Sequence, residues 1–277
     1  MNFTETQKNR LGELGADEAA CEESFEDAKA RDAAFRELER RLVARERGKI
    51  ATLLHEKHVS LAAGIIGSLE GWLQGDAGFT KVSTPTIIPL DMLDKMTITE
   101  DDPLREQVFY VGKNRCLRPM LAPNLYTVMR ELRRITRECV RIYEVGSCFR
   151  KESQGAQHMN EFTMLNLVEI GTEEGTQMAR LEALAEGAMA AAGITGYTLI
   201  KESSTVYGET VDIECGGVEI ASGAYGPHVL DSAWGVFDPW VGIGIGIERA
   251  ALVKGGYRTI KRVGRSTGYA DGVTLNL

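Results

Sequence analysis

The stretch Gly146-Ser147-Cys148-Phe149-Arg150-Lys151-Glu152, followed by a loop and then Glu161-Phe162-Thr163-Met164-Leu165-Asn166, decides how this chain folds. Residues 140–150 and 161–170 both read as strands, being rich in β-branched and aromatic side chains. The polar loop 151–160 lies between them. Further along, residues 240–247 alternate glycine with aliphatics, as Gly242-Ile243-Gly244-Ile245-Gly246, and run into a helix from about Glu248.

Working outward from these strands, more hairpins appear. Strand-like runs occupy 197–201, 211–215 and 218–224, and Cys215-Gly216-Gly217-Val218 reads as a turn. Upstream, residues 106–111 and 114–118 read as two strands joined by Gly112-Lys113. Phe79-Thr80-Lys81-Val82 reads as a short strand, and Pro85 and Pro89 favour extended chain over 83–89. Helices are expected over 60–73, 123–135 and 179–192. The second carries the stripe Leu121, Leu125, Met129, Leu132 and Ile135, with Pro123 suited to its first turn. Consecutive strands in hairpins with inserted helices point to an α+β fold around an antiparallel sheet.

The N-terminal part differs in character. Residues 1–30 carry eight acids against Lys8, Arg10 and Lys29. Residues 31–49 carry seven bases against four acids, with Phe35, Leu38, Leu42 and Val43 at helical spacing, so this is an amphipathic helix with a basic face. The expected division is a helical extension over 1–58 and a larger domain over 59–277.

With 277 residues, 43% hydrophobic and 26% charged, the composition excludes a wholly disordered chain, a collagen-like repeat and a disulfide-rich miniprotein. A net charge of −8 argues against a generic nucleic-acid coat but leaves room for local basic patches. The five cysteines form no CxxC pair and their number is odd, so reduced thiols are expected. His55 and His58 have no cysteine or acidic cluster to complete a zinc set. The start has no apolar signal-peptide core, and no run of 18 apolar residues occurs. A cytoplasmic protein with no membrane contact is expected. P-loop, dinucleotide-fingerprint and GxSxG signatures are all missing.

Ser83–Pro89 as the first segment, the Phe149-Arg150-Lys151-Glu152 and Glu161–Asn166 pair as the second, and Gly242–Arg249 as the third resemble, in this order, the three motifs of class II aminoacyl-tRNA synthetases. The resemblance narrows to the pyrrolysyl-tRNA synthetase family. It does so through Leu117-Arg118-Pro119-Met120-Leu121-Ala122-Pro123-Asn124-Leu125-Tyr126, Pro239-Trp240-Val241-Gly242 and the tail Gly268-Tyr269-Ala270-Asp271-Gly272-Val273-Thr274-Leu275-Asn276-Leu277. It covers most of residues 80–277 and, more loosely, the helical N-terminus, and looks like the form without a separate N-terminal tRNA-binding domain.

The resemblance implies ATP, Mg²⁺, pyrrolysine and its tRNA as ligands, and a homodimer with Pro85 at its interface. It assigns Arg150 to the α-phosphate and Arg150 and Arg249 to catalysis. A two-pronged guanidinium suits phosphate. Glu152, His158 and Met159 would embrace the nucleotide, Phe162 and Arg249 would sandwich the purine, and Gly244 would let the backbone approach it closely. Glu219 and Ser222 would hold Mg²⁺, whose hard-oxygen preference they match.

The amino-acid pocket implied by the resemblance comprises Leu121, Ala122, Leu125, Tyr126, Met129, Asn166, Val168, Tyr207, Trp240 and Gly242. Pyrrolysine is a lysine carrying a bulky carboxamide, so its pocket should be long and apolar with one or two hydrogen bonds. Leu125, Met129 and Val168 suit a core equally well, because a pocket wall and a core share composition. Asn166 differs, since an amide in an apolar strand needs a partner. Basic stretches at 31–49, 130–141 and 254–265 are available for tRNA phosphates, with Arg40, Arg41, Arg45, Arg133, Arg137, Lys261 and Arg262 the candidates. Two other readings stay open: a synthetase-like ligase that adenylates a small acid and never charges tRNA, and a non-catalytic tRNA-binding paralogue.

Overall fold

A computed structural model describes residues 1–56, 58–151, 155–204 and 208–277, with the side chains of 203, 204 and 208 left aside. Glu152 and Tyr207, both expected from the sequence to lie in the site, fall outside the described residues. The chain forms two compact units, one of residues 1–60 with 266–277 and the other of residues 61–265. The sequence reading placed the tail with the larger domain; by contacts it groups with the N-terminal residues.

In the first unit, α1 (Glu5–Glu13) opens with a capping box, Thr4 and Gln7 each satisfying the other's backbone N–H. α2 (Glu18–Cys21) is a single turn, and α3 (Ala28–His55) runs 28 residues from its Asp27 cap. Phe35, Leu38, Leu42 and Val43 pack with Phe3, Leu11 and Leu14, so the apolar stripe of α3 builds this small core. The tail forms a short hairpin of Tyr269–Ala270 and Val273–Thr274. The Thr274 N–H donates to the buried Glu46 carboxylate of α3 at 3.3 Å.

The second unit starts with α4 (Leu61–Gln74) and strand β1 (Thr80–Lys81). Strand β2 (Ile87–Pro89), α5 (Asp91–Lys95), α6 (Pro103–Glu106) and β3 (Arg115–Leu117) follow. Here one expectation fails: 106–111 is not a strand. Pro103 starts a helical turn after the Asp102 cap, and β3 pairs instead with β2, leaving one bridge from Tyr110 to Cys116. Then come α7 (Ala122–Ile135), β4 (Val140–Phe149), β5 (Glu161–Ile170), α8 (Gln177–Ala192), β6 (Thr198–Ser204), β7 (Gly208–Cys215), β8 (Val218–Gly226), α9 (Asp231–Trp234), β9 (Trp240–Gly246) and α10 (Ile247–Lys254).

Among the described residues seven strands make one sheet in the order β1-β4-β5-β9-β8-β7-β6. Every pairing is antiparallel except β1 with β4. Strand periodicity then divides the sheet into two faces. Leu165 and Leu167 of β5 and Val241, Ile243 and Ile245 of β9 join α4, α8 and α10 in the main core. The opposite face, near α7, carries the site.

Candidate active site

The glycines of β9 create the site. Gly242, Gly244 and Gly246 fall on the face opposite the core, where they pair with Val168, Asn166 and Met164 of β5. On their other side Gly244 pairs with Ser222 and Gly242 with Ala224 of β8. A trough without side chains therefore runs between β5 and β8. An added Cβ at Gly244 would sit 3.2 Å from both amide atoms of Asn166 and 3.1 Å from Met164 Cε, so a side chain there would push both neighbours aside and narrow the trough. A cavity of about 250 Å³ occupies it, lying wholly within the second unit.

One end is rich in charge. Arg150 follows the last residue of β4, its Nε donating to the Pro119 carbonyl at 2.9 Å and its guanidinium lying 5.4 Å from the Phe162 ring centroid. Arg249, in the first turn of α10, bonds the Glu219 carbonyl at 3.2 Å and the Glu219 carboxylate at 3.4 Å. Its other amino group stands 3.3 Å from His158 Nε2. Arg150, His158, Met159, Phe162, Glu219, Ser222, Gly244 and Arg249 all line the cavity. The cation over Phe162 is Arg150, while Arg249 faces Glu219 and His158.

Glu219 and Ser222 are three apart, so an unbroken strand would aim them at opposite faces. β8 carries one extra residue: Glu214 pairs with Glu219 but Ile213 with Ala221. This β-bulge skips Ile220 and restores both oxygens to the cavity side. Ser222 Oγ also donates to Asp212 Oδ1 of β7 at 2.5 Å. Among the described residues no group of three His, Cys, Asp or Glu gathers to hold a metal. An ion here would depend on Glu219, Ser222 and ligand or water oxygens, which fits Mg²⁺ held against phosphates.

The other end is apolar and aromatic. Ala122, Leu125, Tyr126 and Met129 come from α7, and Val168, Trp240 and Gly242 from the sheet. Leu125, Met129 and Val168 are buried core residues that also line the cavity. Leu121 does not line it: preceding the first residue of α7, its side chain is fully buried in the neighbouring core. Asn166 Oδ1 is buried with no hydrogen-bond partner. An orphaned buried acceptor is costly and rare, and this one belongs to a residue lining the cavity.

Sequence reasoning missed Glu248. Its carboxylate takes the Thr163 N–H at 2.8 and 3.0 Å, tying α10 to β5. Burial pushes its carboxyl above the ordinary range, against the lowering effect of the Thr163 amide. The signal was available, because Glu248 directly precedes Arg249 in the third motif. Met120, Met164 and Ala224 also line the cavity unannounced, since isolated apolar residues carry no mark of a pocket.

The basic candidates separate. On α3, Arg40 pairs with Glu37 and is exposed, as is Arg41. Arg45 instead donates to the Leu14 and Gly15 carbonyls at 2.7 and 3.0 Å, satisfying the C-terminal end of α1. In the second unit, Arg133 pairs with Asp238 at 3.0 Å, whereas Arg137 and Lys261 are exposed and Arg262 is half-buried.

The model for the family of tRNA synthetases class II core domain (F) matches residues 65–267, and the chain belongs to that class. Within the class it stands among the pyrrolysyl-tRNA synthetases. It is 48% identical to the crystal structure of the pyrrolysyl-tRNA synthetase from Desulfitobacterium hafniense, covering 100% of this chain and 99% of that one with a TM-score of 0.92. A second structure of a pyrrolysyl tRNA synthetase from the same organism is 46% identical at a TM-score of 0.90, covering 100% and 96%. O-phosphoserine–tRNA(Cys) ligases of Methanococcus maripaludis strains C5 and C7 are 23% identical over 227 residues, 78% of this chain. The chain spans 42% of the length of these curated relatives.

Proposed function

We propose that the protein joins pyrrolysine to its cognate tRNA at the expense of ATP. In the first step the amino-acid carboxylate attacks the α-phosphorus in line and pyrophosphate leaves. In the second, a terminal ribose hydroxyl of the tRNA attacks the adenylate carbonyl and AMP leaves. No protein nucleophile is required; positioning and fixed charge lower the barrier. Arg150 grips the α-phosphate as charge builds there, and Phe162 lies against the nucleotide. Arg249 and His158 meet the distal phosphates, exchanging Glu219 for phosphate oxygens. Mg²⁺, when bound, neutralises triphosphate charge, and Glu219 and Ser222 would hold it. Glu152 and Tyr207 keep the nucleotide and side-chain roles that the family resemblance gives them.

The observation that carries this reading is the cavity's division. Cations flank one end, and the apolar other end contains an unpartnered amide oxygen on Asn166. A long apolar side chain with one amide N–H matches that end. The exposed, basic face of α3 with Arg40 and Arg41, and separately Arg137, Lys261 and Arg262 in the second unit, supply phosphate contacts for tRNA. A homodimer is part of the same reading. It is supported by the half-exposed apolar side chains Ile87, Tyr110 and Val111 around the β2–β3 ladder next to Pro85.

Charging of the cognate tRNA by purified protein with ATP and pyrrolysine tests the proposal. Acylated tRNA is expected, together with its loss in Arg150→Ala while the fold survives. Adenylate without charging would favour a ligase that never uses tRNA, and tRNA binding with neither step would favour a non-catalytic paralogue.

A further inference from the structure

The apolar end of the cavity is held by a carboxylate that does not line it. Asp231 begins the short helix α9 and is 1% exposed. Its Oδ1 accepts the Tyr126 hydroxyl at 2.7 Å. Its Oδ2 accepts Trp240 Nε1 at 2.7 Å and the His228 backbone N–H at 2.6 Å. Charge-assisted hydrogen bonds of this length are the strong ones. One buried anion thus joins α7, α9 and the first residue of β9 through the two large aromatic walls of the pocket.

Two further observations show that the surroundings are shaped around this arrangement. A Cβ at Gly226 would lie 2.0 Å from Trp240 Nε1 and 2.5 Å from Asp231 Oδ2, so only glycine admits the pair. Trp234, three residues after Asp231 on α9, stacks on Tyr126 at 5.2 Å and 18°, while Trp240 meets Tyr126 edge-on at 5.7 Å and 78°. The Tyr126 ring is therefore fixed from three directions: Trp234 stacked on it, Trp240 edge-on, and its hydroxyl tied to Asp231.

We propose that Asp231 is a positioning residue that sets amino-acid side-chain selectivity by locking Tyr126 and Trp240 against the end of the pocket. The proposal rests on the amino-acid-site reading given above. With the lock intact the end wall is rigid, and a side chain either fits or is refused. Asp231→Asn keeps the size but replaces one acceptor oxygen with an amide donor, so the Tyr126 hydroxyl or Trp240 Nε1 faces a donor. The wall then yields, and bulky side chains gain relative to small ones.

The test measures ATP–pyrophosphate exchange by wild type, Asp231→Asn, Tyr126→Phe and the double variant. The substrates are Nε-methoxycarbonyl-lysine and Nε-benzyloxycarbonyl-lysine. Asp231→Asn should change the ratio of kcat/KM for the two substrates at least tenfold, through the amino-acid KM, with kcat and the ATP KM little changed. Tyr126→Phe, which leaves Asp231 in place, should shift the ratio the same way, and the double variant should shift it less than the product of the singles. Tryptophan emission should also change in Asp231→Asn, because Trp240 changes its partner. If Asp231→Asn does not fold, Tyr126→Phe alone decides on the same ratio. An unchanged ratio in a folded variant, or an equal loss for both substrates together with a raised ATP KM, would overturn the proposal. Failure of the wild type itself with every lysine derivative would overturn the substrate reading, and this proposal with it.

Discussion

Replacing Asn166 with alanine separates a binding role from a structural one. In the free protein Asn166 Oδ1 is buried and unpartnered, a condition that costs roughly 1–3 kcal/mol. Truncation removes that acceptor and breaks no hydrogen bond made by it. What is lost is packing of the amide against the trough at Gly244. The two effects oppose each other, so stability should change by no more than about 1 kcal/mol, or about 2–4 °C in melting temperature for a chain of this size. A bound lysine carboxamide, by contrast, loses its partner in an enclosed site. At about 1–3 kcal/mol the loss is roughly 5- to 160-fold in kcat/KM for activation. Thermal melting and ATP–pyrophosphate exchange on the same preparation measure both. A melting temperature lower by more than about 10 °C with activation of the lysine derivative intact would refute the argument and make Asn166 a structural residue.

Three further outcomes are expected. Arg118 and Glu144 form a buried ion pair at 2.8 Å, with the Thr84 N–H and hydroxyl also on Glu144, so Arg118→Met should cost about 3–5 kcal/mol by stranding the carboxylate. Urea melts measure this, and Glu144→Gln in the same chain should recover part of it. Burial pushes the Glu46 carboxyl up, but Lys49, the Thr274 N–H and Arg45 together hold it below its ordinary range. Its stabilising contribution is then complete above the unfolded-state value and lost as pH falls through the folded one. Hydrogen-exchange protection at Thr274 should fall in acid, and Glu46→Gln should flatten that dependence. Reversing Arg40 and Arg41 should weaken tRNA binding in a gel shift without changing pyrophosphate exchange, whereas Arg45→Glu should lower the melting temperature because it strands the α1 carbonyls.

The central sheet was legible because its strands follow a period of two, apart from the bulge in β8. The Gly-Ile-Gly-Ile-Gly run announces both a buried face and an open one, and β4, β5 and β9 lie within a residue or two of their expected bounds. The short β2–β3 ladder was not legible in full. Its partner choice depends on Pro103 and the Asp102 cap, which turn 103–106 into a helix. Motif residues led directly to the charged end of the site. The aromatic lock was invisible because Asp231 is a lone acid in a loop-like stretch, and only the fold brings Tyr126 and Trp240 to it. The different fates of Arg40 and Arg45 were hidden likewise, since a charge run does not tell which arginine meets the end of a neighbouring helix.

The most direct measurement is ATP–pyrophosphate exchange by the purified protein, comparing pyrrolysine and an Nε-carbamoyl-lysine with the twenty standard amino acids. Exchange with the lysine derivatives alone is the predicted result. Exchange driven by a standard amino acid, with none from the lysine derivatives, would contradict it.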